Sequence, residues 1–470
     1  MTNPHAPLLQ GISQFEVDFV IPRVGVDLPV GIDPFLLYKS RDPRLSGLHS
    51  MMLSAFNAGI AALRHGEADA ARHIFTYPEV PEIGMGFARS SKRGSGVGTF
   101  LTELIVETLL DSPELLDRGV RHIEEMQLVS LHIGPDRVSD IAANLLKCYL
   151  IEYTQSQCSL WDIPLTSGVP LPHIWDPDSL DWSDDYVDLP KSPLDDTPML
   201  FVPRRIVRAL PWINYDDFLR LEIQVYLRAK RVRGRLKRAG TAVNQRRPAR
   251  PPKEEVVRST REDIARVDRY VAAKEGTAAE ARPSFEYLNS VSPCPDTERL
   301  TTQLRSIPSG RPEAGRYQKT VLEILNVCFN PELIDGKLEV KTVDGTERRD
   351  IIFLNDSDQT FWRYVREEHS SFLAMFECKN TKETSIADIN QTATYLGDRL
   401  GRLGFIVTRN PATDAHKKKL FSIYNDGVPR KIILVLSDED LIRMLKMVCQ
   451  DRDPMTFVRD HYRNFREQVQ

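Results

Sequence analysis

The chain has 470 residues, 41% of them hydrophobic and 27% charged, with a formal net charge of −4. This length exceeds what one hydrophobic core sustains, so two or three globular domains are expected. The charge balance excludes a uniformly basic coat for nucleic acid, although a whole-chain sum hides local asymmetry. No run of about 18 apolar residues occurs, and Met1-Thr2-Asn3-Pro4-His5 lacks a basic, apolar signal pattern. A cytoplasmic location and no membrane partner are therefore expected. The six cysteines, Cys148 to Cys449, include no Cys-x-x-Cys pair, which speaks for reduced thiols and against a zinc finger or disulfide framework.

In chain order, Phe15-Glu16-Val17-Asp18-Phe19-Val20-Ile21 alternates in the manner of a strand, and Gly31-Ile32-Asp33-Pro34 reads as a strand entering a turn. Asp33 is a turn aspartate bonding local backbone, with ligation the alternative. From about 48 to 160 the pattern is helical: Met52, Phe56, Ile60 and Leu63 recur at helical spacing, as do Leu101, Leu104, Ile105 and Leu109. Ile141, Leu145, Leu146 and Tyr149 continue it after a start at Ser139. Gly94, Gly96 and Gly98 precede a helix; without a preceding apolar strand or a phosphate-loop lysine they read as a helix entry. Residues 174–198, with eight aspartates against Lys191 alone, read as an acidic, proline-punctuated loop. Met199-Leu200-Phe201-Val202-Pro203 then reads as a strand.

After a helix from Tyr215, eleven basic residues run from Arg228 to Lys253 without one acid. They form either a solvated tether or an electrostatic arm for a polyanion. A short helix near Glu262–Lys274 and a Ser/Pro-rich connector reach Gly310. The chain thus divides into a mainly helical α+β domain over 1–227, a linker over 228–311, and an α/β domain over 312–470. The first is of unknown fold and is a candidate sensor, regulatory or interaction module, with a protein partner as one possibility.

In the third domain a helix is expected over about 316–329. Strands follow near Leu338–Val343 and Asp350–Leu354, joined by an Asp344-Gly345 turn. A helical insert over 359–370 precedes a strand at 372–379. A helix near 385–400, a strand at Gly404–Thr408, a helix near 412–424 and a strand at Lys431–Leu436 complete a mixed sheet flanked by helices. The strand at 372–379 ends in Phe376-Glu377-Cys378-Lys379, with a carboxylate and an ammonium on one face. Charges at the end of a core strand are costly unless something uses them. With Asp350 at the mouth of another strand, they suit a divalent cation beside a phosphodiester.

The order of Glu323 on a leading helix, Asp350 opening a strand, Glu377-x-Lys379 closing the next, and Gln391-x-x-x-Tyr395 on the following helix resembles the PD-(D/E)XK nuclease superfamily. That resemblance covers about 316–440 and implies a restriction-endonuclease-like fold in which Gln391 and Tyr395 belong to an exonuclease-like branch. Arg349 stands where the family name has proline, and 27 residues separate Asp350 from Glu377, long for a plain hairpin. The resemblance implies a Mg-dependent deoxyribonuclease using Mg2+, with Mn2+ able to substitute. Asp350, Glu377, Glu323 and the backbone carbonyl of Cys378 are the expected ligands, and Lys379 and Gln391 act beside them. DNA is the expected partner, RNA a possible one, and a homo-oligomer the expected assembly. Arg402, Arg409 and Lys417-Lys418-Lys419 are candidate backbone contacts. A large domain fused to such a nuclease resembles anti-phage defence and restriction effectors. A repair or recombination exonuclease, or a non-catalytic nucleic-acid scaffold, are the alternatives.

Overall fold

A computed structural model of the chain describes residues 12–22, 28–85, 97–192, 196–223, 251–284, 295–341, 348–382, 384–397 and 400–469. The chain divides into two compact units, one of Met1–Gln10 and Ile21–Phe285, the other of Gly11–Val20 and Glu286–Gln470. The division differs from the expected one. Helices Lys253–Arg261 and Ala265–Gly276, expected within a linker, bury Val256, Val257, Val267, Tyr270 and Val271 and belong to the first unit. Helix Thr297–Ser306 belongs to the second, with Leu300 and Leu304 fully buried. Most of the basic block (residues 228–250), Gly94, Gly96 and the Asp344-Gly345 turn lie outside the described residues.

The first unit is mainly helical. Pro43–Arg64, Val97–Leu110, Pro135–Leu145 and Lys147–Trp161 are its longer helices, and each apolar residue cited for the helical pattern is buried. The third starts at Pro135 rather than Ser139, because a proline at the first helical position loses no hydrogen bond. Asp33 ends a two-residue strand, β1 (Gly31–Ile32), and caps the short helix Pro34–Tyr38 by accepting from the Phe35 N–H at 3.2 Å. No strand forms over 15–21 or 199–203; β1 pairs instead with β4 (Val207–Arg208).

The acidic stretch is also a correction. Residues Thr166–Asp176 (β2) and Asp181–Leu189 (β3) form an antiparallel hairpin. Aspartates disfavour strands in general, yet here Asp181, Asp184, Asp185 and Asp188 all face solvent. Trp182 holds the pair together, stacked on His173 at 3.8 Å and edge-on to Trp175 at 4.9 Å.

In the second unit, β5 (Ile334–Lys341), β6 (Arg348–Leu354), β7 (Leu373–Lys379), β8 (Leu403–Thr408) and β9 (Ile432–Ser437) form one sheet in that order. The first two pairings are antiparallel and the last two parallel. β8 and β9 are almost wholly buried apolar runs, as strands covered on both faces must be. Helix Thr360–Glu368 occupies the long interval between β6 and β7, its Trp362 and Val365 buried, and leaves the two strands direct neighbours.

A close turn leads into β8. Gly397 and Gly401 exchange backbone hydrogen bonds of 3.0 and 2.7 Å, and Gly401 has φ +85°. A Cβ on Gly401 would lie 2.4 Å from the Cα of Ser371, which is backbone and has nowhere to go. Gly401→Ala should therefore cost on the order of 2–4 kcal/mol through left-handed strain and overpacking. An unchanged urea unfolding midpoint would refute this.

A candidate active site at the end of a mixed sheet

Phe376 is the anchor of β7. It is fully buried, stacks on Phe405 at 4.5 Å and meets Phe353 edge-on at 5.8 Å. Strand alternation then turns Glu377 and Lys379 to the opposite face. The antiparallel register of Ile351 with Phe376 continues to place Asp350 across from Glu377. The first residues of β6 and the last of β7 thus meet at the carboxyl ends of the parallel strands, where open α/β sheets bind ligands.

Each charge has defined neighbours. Asp350 accepts from Gln318 Nε2 through Oδ1 and from the Cys378 N–H through Oδ2, both at 2.8 Å. The Lys379 ammonium lies 3.0 Å from Glu377 Oε1, 3.4 Å from Gln391 Oε1 and 3.5 Å from Asp388 Oδ1. Gln391 Nε2 donates to Tyr395 Oη at 2.6 Å, and the Tyr395 ring lies 3.6 Å beneath the Arg349 guanidinium. Asp388 is itself fixed by a capping box: its Oδ2 accepts from the Ser385 N–H and hydroxyl, leaving Oδ1 for the lysine.

Glu377 is 3% exposed, and its Oε2 is buried with no hydrogen-bond partner. Burial first, then the facing charge of Asp350, holds its carboxyl above the usual range, with Lys379 opposing. Burial alone would lower the Lys379 pKa, but Glu377, Asp388 and Asp350 together raise it and keep the ammonium charged.

The site brings Asp350, Glu377, Lys379 and Gln391 together. It does not bring in Glu323. That residue, 7% exposed, lies 3.5 Å from Arg299, which also pairs with Glu16. The leading helix, Ala314–Phe329, instead presents Gln318 to Asp350. Five residues at about 100° each put the two side chains roughly 140° apart around the helix, so both cannot face the site. At Cys378 the backbone N–H donates to Asp350 Oδ2. Arg409 is a half-buried structural clamp, donating to the carbonyls of Leu304 and Ile307 and to Asp438 at 2.9 Å. Arg402 donates to the Glu368 carbonyl at 2.6 Å. Gln318 and Asp388 were missed because neither is distinctive in sequence; a polar residue on the apolar stripe of Val321, Leu322 and Leu325 is the signal that marks Gln318.

Among the described residues, no group of three or more His, Cys, Asp and Glu side chains is arranged to hold a metal. Two carboxylates with one orphaned buried oxygen nevertheless fit magnesium, which is bound through one or two carboxylates and keeps several waters. They do not fit a closed four-ligand zinc site.

A family model described as "Domain of unknown function (DUF8370)" matches residues 11–214. The chain is also similar to an Escherichia coli (strain K12) protein described as a transposon gamma-delta 80.3 kDa protein, with 32% identity over 112 residues. That match covers 24% of this chain and 16% of the relative, so the chain spans well under two thirds of its length. No solved structure matches.

Burial pushes the Glu323 carboxyl up from 4.5 to about 6, with Arg299 opposing and Glu16 adding to the rise. The folded chain therefore holds this proton more tightly than the unfolded one. The resulting stability is fully present below pH 4.5 and is lost as the pH rises through about 6. Glu323→Gln should remove that component, on the order of 1–2 kcal/mol. Unfolding midpoints measured across the window should be flatter for the variant, and parallel curves would refute the assignment.

Proposed function

We propose that the second unit is a metal-dependent nuclease of restriction-endonuclease-like fold that hydrolyses phosphodiester bonds in DNA. The observation that carries this is the buried Glu377 carboxylate, facing Asp350, with one oxygen unclaimed and Lys379 beside the other. Asp350 and Glu377 would hold Mg2+, or Mn2+ in its place. Bound there, the ion supplies Lewis acidity toward the phosphate and lowers the pKa of its water. Gln318 and the Cys378 N–H fix Asp350 in one orientation. Lys379, kept protonated by its acidic neighbours, supplies positive charge where negative charge grows on the phosphate. Gln391 steadies the ammonium, and Tyr395 steadies Gln391.

The first unit is proposed to recruit or restrain this activity, in the manner of a restriction or anti-phage defence effector, with a homo-oligomer as the working assembly. The partial likeness to a transposon protein fits a role close to mobile DNA.

The test compares wild type, Lys379→Ala and Asp350→Asn on linear and circular DNA with magnesium, manganese or EDTA. Wild type should cleave with either metal and not with EDTA, and each variant should lose at least about 100-fold in rate. Equal degradation by all three proteins, or none by wild type despite DNA binding, would falsify the proposal. The circular substrate separates an endonuclease from an end-dependent exonuclease.

A further inference from the structure

Helix Ile386–Tyr395 turns two side-chain oxygens toward the Lys379 ammonium. Asp388 and Gln391 lie three residues apart on it, so their side chains share one face. Ile389 and Thr392, both fully buried, anchor the helix. Gln391 Nε2 donates to Tyr395 Oη at 2.6 Å, which turns Oε1 toward the lysine, 3.4 Å away. Asp388 is pinned in the same manner. Its Oδ2 accepts from the Ser385 N–H at 2.8 Å and from the Ser385 hydroxyl at 2.7 Å, and its Oδ1 lies 3.5 Å from Lys379 Nζ.

An aspartate in the first turn of a helix is ordinary capping chemistry, and one oxygen completes the cap. The second oxygen faces a lysine on another element, the end of β7, which capping does not require. A lysine head rides on a flexible four-carbon stem, so its partners decide where it sits. Glu377 Oε1, at 3.0 Å, belongs to the carboxylate that would also hold the metal, and Gln391 carries no charge. Asp388 adds a carboxylate with no part in that metal site. Of the three contacts only that with Glu377 is short, so the ammonium keeps donor capacity for a phosphate oxygen.

We propose that Asp388 is a positioning residue of the nuclease site, holding the Lys379 ammonium in place beside the scissile phosphate. The inference rests on the nuclease reading of the same site. Asp388 acts through Lys379 and contacts neither the phosphate nor the metal. A misplacement of about 1 Å at a reacting centre costs on the order of 100-fold in rate, so loss of this hold is measurable.

Steady-state cleavage of linear DNA with magnesium tests it, using full-chain wild type, Asp388→Asn, Lys379→Ala and the double variant. The asparagine keeps an oxygen for Ser385 and replaces the charge that faces Lys379 with an amide. Asp388→Asn should lower kcat at least about tenfold, with KM within about threefold of wild type and an unchanged urea unfolding midpoint. In the Lys379→Ala background the same substitution should change kcat by less than about twofold, because nothing remains to be positioned. That comparison stands even where Asp388→Asn lowers the midpoint, since a stability defect would persist in both backgrounds. Asp414→Asn removes a negative charge from the neighbouring helix Asp414–Asp426, where Asp414 is 93% exposed, and should leave kcat and KM at wild-type values. A wild type that binds DNA without cleaving it overturns the nuclease reading and this inference together. With an active wild type, four results overturn the positioning role alone: unchanged kcat in Asp388→Asn, a change confined to KM, an equal loss in Asp414→Asn, or the full loss repeated in the Lys379→Ala background.

Discussion

A carboxylate at the end of an apolar strand is the constraint around which the second unit is arranged. Glu377 leaves water almost completely, and Asp350 faces it with a like charge. Taking an ion out of water costs several kcal/mol even after relaxation, and proximity of a second anion adds to that. Lys379 and the Arg349 guanidinium offset part of the cost, the Lys379 ammonium being shared among Glu377, Asp388 and Gln391. The stacked rings of Phe376 and Phe405 hold the strand end in place against this repulsion. Local order in the Ile386–Tyr395 helix follows from the same need, since the Ser385 and Asp388 capping box fixes both the helix start and one partner of the lysine. The charge cluster lies at the end of the sheet's inner strands, where burial and Asp350 hold the Glu377 carboxyl above the usual range.

The first unit handles buried acids differently. Asp33 and Glu124 are both fully buried and adjacent, and burial raises both carboxyls. Asp33 is nonetheless claimed on several sides, by the N–H groups of Phe35 and Trp212 and by Arg208 at 3.3 Å. The same Phe35 N–H also donates to Glu124 Oε1, at 2.8 Å. These acids pin a strand, a helix start and the Trp212 segment to one another. The contrast is between Asp33, held by two backbone donors and an arginine, and Glu377, held by a lysine at a buried strand end; Glu124, like Glu377, keeps one buried oxygen without a partner.

How much of this was legible in the sequence depends on how each element is stabilised. β7, β8 and β9 stand out as apolar runs because parallel strands buried on both faces have no polar alternation to confuse them. Glu377 and Lys379 stand out because charges two apart at the end of such a run have no bland packing role. The β2–β3 hairpin did not stand out, since its aspartates, prolines and glycine mask the strand-forming Trp175 and Trp182, which pack across the strands with His173. Glu323 drew attention as an acid on the leading helix, whereas the neutral Gln318 that meets Asp350 carries no charge to mark it. Angular position around the helix decides between them, and only the packed structure fixes it.

The second unit is discontinuous. Glu16 pairs with Arg299, and Asp18 accepts from Asn330 and from the Gly336 N–H, so the short stretch Gly11–Val20 is built into a unit whose remainder begins at Glu286. During synthesis at about 5–20 residues per second, those ten residues leave the ribosome tens of seconds before their partners exist. The growing chain can complete the first unit's helices while the sheet that carries Asp350 and Glu377 is still missing its last strand. The charged site, built from residues of the later part of the chain, therefore forms after the first unit's helices.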